Sequence, residues 1–106
     1  MNRFSLGIAF FVVQFAHVQA HATEHVVEQK NKKFVVKQLN VTVGDSVSFK
    51  NSDDVNHNVF SLSDTKTFDL GSYPKGQARK VTFDKAGMVE VECAIHPDMR
   101  MEVNVK

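Results

Sequence analysis

The sequence predicts an all-β fold, a sandwich or barrel of short strands, and three observations point to it. No window after the first twenty or so residues sustains a helical period of apolar residues. Apolar and polar residues instead alternate in short runs, the pattern of half-buried strands. Turn-forming residues break those runs at intervals of ~8–12 positions, the spacing of strands in sandwiches and barrels.

The chain opens with "MNR", a short positive segment, followed by the apolar run "FSLGIAFFVVQFA". "VQA" and "AHA" then offer small-residue cleavage sites after Ala20 or Ala22. Residues 1–22 therefore read as a signal peptide and residues 23–106 as one domain, exported to the periplasm. The clean apolar run is too short for a comfortable membrane span, and no stop-transfer pattern follows it.

"LNVTVGDSVSFKN" is the clearest strand signal. Val41 and Val43 alternate with Asn40 and Thr42, Gly44-Asp45 marks a turn, and Val47 and Phe49 alternate with Ser46, Ser48 and Lys50. "SDTKTFDLGSYPKGQ", residues 63–77, is rich in turn formers and reads as a crossing from one sheet to the other. "KVTF" puts Val81 and Phe83 on one face. After Ala86-Gly87, "MVEVEC" puts Val89, Val91 and Cys93 on one face and Met88, Glu90 and Glu92 on the other. "MEVNV" aligns Met101, Val103 and Val105. Period-two arithmetic thus turns the Cys93 thiol inward, at the end of a strand.

Composition narrows the function. Removal of the leader takes away Arg3 alone among charged residues, leaving 12 basic residues against 12 acidic ones. That balance gives no basis for binding nucleic acid or an anionic membrane. A domain this small buries a marginal core, which a bound metal would help stabilise. Cys93 is the only cysteine, so no internal disulfide can form. In an oxidising compartment a lone thiol must be buried, catalytic or metal-bound.

Cys93, His96, Met99 and Met101 fall within nine positions, in "CAIHPDMRM". His57 stands 36 positions before Cys93, at the start of the apolar run that follows "SDDVN". Two or three strands of a sandwich cross that separation, so His57 can meet Cys93 and His96 at one end. One thiolate, two imidazoles and a thioether form a poor zinc set, since zinc favours several cysteines or three harder ligands. They suit copper, in a trigonal His-His-Cys plane with a weak axial methionine.

These motifs resemble a known family. "CAIHPDM" looks like the cupredoxin ligand loop C-x-x-H-P-x-M, in its short amicyanin-like form. "VTVGDSVSFKNSDDVNHNVF" resembles the strand pair that ends in the first histidine ligand. "FDLGSYPKGQARKVTFDKAGMVEVECAIHPDM" resembles plastocyanin-like and methylamine-utilisation cupredoxins. The likeness spans residues 25–105. It implies a Greek-key β-sandwich holding one type 1 copper ion through His57, Cys93, His96 and an axial methionine. It implies single-electron transfer between redox protein partners, such as a dehydrogenase and a c-type cytochrome. It implies no catalysis by the chain itself, no stable membrane association and a monomeric carrier. His96 would present its ring edge to the surface, with Pro97 in the docking patch. Asp98 replaces an apolar residue of that patch and is expected to disfavour an acidic partner.

Spacing admits either Met99 or Met101 as the axial ligand. Met101 falls in line with Val103 and Val105 and reads as core, which leaves Met99, on the loop, as the ligand. Two other readings compete. One is a copper chaperone or storage module that binds Cu(I) through Cys93, Met99 and Met101. The other is a metal-free β-sandwich binding module with a buried cysteine.

Overall fold

The computed structural model describes residues 21–106, together with Gly7 and Ala9. The predicted signal peptide lies almost wholly outside the described residues. Among them there is no helix long and apolar enough to cross a membrane.

Among the described residues nine strands follow one another: β1 (Glu24–Lys30), β2 (Lys33–Phe34), β3 (Gln38–Val41), β4 (Ser46–Asn51), β5 (His57–Ser63), β6 (Lys66–Tyr73), β7 (Ala78–Thr82), β8 (Gly87–Glu92) and β9 (Arg100–Val105). They form two sheets, ordered β2-β1-β4-β7 and β3-β9-β8-β5-β6. The arrangement is the expected Greek-key sandwich. Most neighbours are antiparallel, but β1 runs parallel to β4 and β3 parallel to β9.

Alternation decides what each strand buries. Val47 and Phe49 of β4, Val89 and Val91 of β8, and Met101, Val103 and Val105 of β9 all lie in the core. Cys93 continues the β8 series inward and is buried, while Met88 on the opposite face is half exposed. Phe49 is the hub between the sheets, 6.2 Å from the Phe34 ring edge-on and 6.4 Å from Phe68 in a stacked pair. Aromatic pairs at such offsets add about 0.5–1.5 kcal/mol each beyond area burial.

The structure refines two of these readings and adds to them. The turn at Gly44-Asp45 is present, with the Asp45 N–H donating to the Thr42 carbonyl at 2.9 Å and Gly44 at φ 97°. A positive φ at that third position is what a type II turn requires of glycine. The strands it joins are not a hairpin, because β3 belongs to one sheet and β4 to the other. Residues 63–77 do carry the chain between sheets, but only at 74–77; most of the segment is β6, hairpin-paired with β5. Residues 24–34 give two further strands, for which no alternation was read from the sequence. Only Val27, Gln29 and Phe34 of that stretch face inward, too short a pattern to register as alternation.

Asp45 fastens the first strand. Its carboxylate accepts hydrogen bonds from the Thr23 and Thr42 amides, each at 2.9 Å, and contacts His25 Nε2 at 3.0 Å. The His25 ring, then the Thr42 and Thr23 amides, hold the Asp45 carboxyl down at about 2. Because the folded value lies below the unfolded one, the ionised carboxylate stabilises the fold. That contribution is complete above the ordinary carboxylate range and is lost as pH falls toward about 2. Urea unfolding of the copper-free chain should therefore show a falling midpoint between about pH 4 and pH 2. Asp45→Asn should lie lower at neutral pH and lose part of that slope; an equal slope would refute the role.

Candidate metal centre

The strand order brings the donor residues together. β5 and β8 are antiparallel neighbours with Phe60 opposite Glu92. His57, the first residue of β5, therefore lies beside the residues that follow β8, Cys93 among them. The separation of 36 residues closes without any long loop.

Residues 93–99 form the connection from β8 to β9. The Cys93 N–H donates to the Met99 carbonyl at 3.2 Å, and the Met99 N–H donates to the His96 carbonyl at 2.9 Å. These two bonds fold the loop into a closed turn between paired strands. Cys93 and Met99 are buried, His96 is half-buried, and Ala94, Ile95, Pro97 and Asp98 are exposed.

Cys93 Sγ stands 3.8 Å from His57 Nδ1 and 3.8 Å from His96 Nδ1. Each of these residues offers one ligand atom, and the three atoms lie within 4.8 Å of one another. The imidazole rings meet edge-on, 5.0 Å apart. A thiolate and two imidazoles this close together are a donor set that would hold one copper ion.

The surroundings hold this arrangement rigidly. Asn51, fully buried at the end of β4, donates from Nδ2 to the Val55 and Tyr73 carbonyls, each at 2.9 Å. Its Oδ1 accepts the Asp53 N–H at 2.8 Å, so the carboxamide shapes the whole 52–56 loop that leads into His57. Tyr73 lies opposite His57 across β5 and β6. Its hydroxyl is within 2.9 Å of the Phe49 carbonyl and 3.0 Å of Gln29 Oε1. Burial pushes the Tyr73 hydroxyl well above its usual range, so it stays protonated. Arg79 covers its ring at 5.1 Å and donates to the Leu70 carbonyl, at the irregularity where β6 shifts register against β5.

His57, Cys93 and His96, each anticipated from the sequence, are brought together. Met99 is buried at the base of the same turn, and Met101 sits in β9 opposite Val91. Asn51 and Asp53 escaped the sequence reading. "NSDD" had the composition of an ordinary turn, and only the Asx-type bond from Asn51 to the Asp53 amide gives it a direction.

The copper binding proteins of the plastocyanin/azurin family have a family model that matches residues 21–106. The chain belongs to that family, the cupredoxins. This cupredoxin is 31% identical over 102 residues to the methylamine utilization protein MauL of Methylorubrum extorquens, covering 95% of this chain and 89% of the relative. It is 33% identical over 84 residues to amicyanin of Paracoccus denitrificans, covering 76% and 64%. Among solved structures, a Cu(I) methionine-to-alanine mutant of amicyanin matches with a TM-score of 0.73 at 30% identity, over 78% of this chain and 82% of that one. A reduced tryptophan-to-tyrosine mutant of amicyanin matches with a TM-score of 0.73 at 32% identity, over 86% and 88%. A copper-containing nitrite reductase from Thermus scotoductus reaches a TM-score of 0.73 at 26% identity, but this cupredoxin covers only 22% of that chain. The cupredoxin is thus a copper electron-transfer protein of the amicyanin type, with type 1 copper as its cofactor.

Proposed function

We propose that this cupredoxin carries single electrons in the periplasm between a dehydrogenase and a c-type cytochrome, as a carrier and not as an enzyme. The likeness to a methylamine utilization protein and to amicyanin supports that placement. The observation that carries the reading is the convergence of Cys93 Sγ with two imidazole Nδ1 atoms on a closed, hydrogen-bonded loop. His57, Cys93 and His96 would hold the metal, with Met99 as the weak fourth ligand. Copper supplies the one-electron chemistry. The rigid loop keeps the donors in place whether or not the electron is present, which lowers the barrier to transfer.

The storage or chaperone reading fits this geometry poorly. Cys93, Met99 and Met101 are all buried, so no exposed soft-donor tract exists among the described residues to pass metal on.

The carrier face is a shallow groove lined by Ile95, His96 and Pro97, with Lys32 and Asp98 at its edge. Asp98 also borders a neighbouring hollow with Lys33, Lys37 and Arg100. The carboxylate expected to repel acidic partners thus sits among lysines brought in by the β1–β2 hairpin and the segment after it. The partner surface that complements this rim is acidic around an apolar centre. Stopped-flow oxidation of the reduced protein by an acidic c-type cytochrome should proceed rapidly, with a second-order rate that falls as salt rises. A rate that rises with salt would refute the charge assignment, and no transfer would refute the pairing.

A further inference from the structure

The carboxylate of Asp53 lies outside the donor set, yet it touches it. Its Oδ2 contacts His57 Nε2 at 2.7 Å. The same oxygen accepts the Lys32 amide at 2.8 Å, and Oδ1 accepts the Asn31 amide at 2.6 Å. Asn31 and Lys32 form the two-residue turn between β1 and β2, both at positive φ, 55° and 56°. That conformation points successive amides to one side, as in the anion-binding nests of backbone N–H groups. Asp53 is therefore clamped from three directions on a loop already shaped by Asn51.

The chemistry of these contacts fixes their polarity. Backbone amides can only donate, so Asp53 meets Asn31 and Lys32 as an acceptor through both of its oxygens. With both oxygens already accepting from these amides, the 2.7 Å contact is one that His57 donates, which places its ring proton on Nε2. The lone pair is then on Nδ1, the atom that faces Cys93 Sγ. Metal-ligating histidines oriented in this way by a carboxylate are stronger donors, and their ring cannot turn away.

We propose that Asp53 is the positioning residue of the copper site: an anion held by the hairpin amides that sets the His57 tautomer, strengthens Cu(II) binding and lowers the reduction potential. The inference rests on the copper-carrier reading above. A fixed negative charge stabilises the more positive metal state more than the less positive one. The hairpin that clamps Asp53 also contributes Lys32 to the groove beside His96, so the potential-setting carboxylate is tied to the edge of the docking face.

The test compares wild type with Asp53→Asn and Asp53→Glu by redox titration, by Cu(II) and Cu(I) affinity, and by visible absorption. Asp53→Asn should remain coloured but lose about 10–100-fold in Cu(II) affinity, as removal of such orienting partners does. The potential should rise by about 59 mV for each tenfold by which Cu(II) binding is weakened more than Cu(I) binding. Asp53→Glu, which keeps the charge, should recover part of both. A coloured Asp53→Asn protein with unchanged or lowered potential would overturn the proposal and reduce Asp53 to a hairpin staple. Should the variants fail to fold, NMR of the Cu(I)-loaded wild type decides: a solvent-protected proton on His57 Nε2 supports the proposal, and an unprotonated or freely exchanging Nε2 overturns it. Wild type that takes up no copper would overturn the copper-carrier reading and this inference together, whereas an unshifted Asp53→Asn overturns this inference alone.

Discussion

Cys93→Ser is expected to abolish the intense visible band of the Cu(II)-loaded protein while leaving the sandwich folded. The band of a type 1 site arises from charge transfer between thiolate and copper, and serine offers no soft sulfur to supply it. The backbone at this position is fixed independently of the side chain, through the Cys93 N–H bond to the Met99 carbonyl and the pairing of β8 with β9. A serine hydroxyl would still face His57 Nδ1 and His96 Nδ1, so it would not be buried without a partner. Copper uptake should weaken sharply, and circular dichroism should remain that of the wild type. A serine variant that kept the band would remove Cys93 from the metal site. A wild-type protein that bound Cu(II) without colour would remove the carrier reading altogether.

The two methionines should separate by chemistry rather than by burial, since both are almost wholly buried, Met99 at 1% and Met101 at 2% exposure. Truncating either to alanine should destabilise the fold by about 2–5 kcal/mol through the cavity left behind. Leucine keeps the volume and removes the sulfur, at a cost below about 1.5 kcal/mol. Met99→Leu should therefore shift the spectrum and move the potential by tens of millivolts, where a tenfold change in relative Cu(I) and Cu(II) affinity is about 59 mV. Met101→Leu should do neither, because Met101 packs in β9 opposite Val91. The reverse result would make Met101 the axial ligand.

The strands β4, β8 and β9 were legible because each has one buried face, and alternation there is a local property. The same alternation placed Cys93 inward before any fold was known. β1 and β2 were not legible. β1 begins and ends with charged residues, and β2 is only two residues long. The sheet to which a strand belongs was not legible either, because alternation shows which face is buried but not against which partner. The turn at Gly44-Asp45 illustrates this: its residues announced a reversal, and packing made it a passage between sheets.

The loop that carries Cys93, His96 and Met99 was determined by the sequence itself. Cys93, His96 and Met99 are close in the chain, so a tight connection between strands must keep their donors near one another. The meeting of His57 with Cys93 needed the tertiary structure, which sets β5 beside β8. So did the clamp on Asp53, which joins amides more than twenty residues away to a histidine four residues on. The physical reason is the same in both cases. Periodicity and turn chemistry act between near neighbours, whereas a hydrogen bond between distant segments leaves no local pattern until packing has brought its donor and acceptor together.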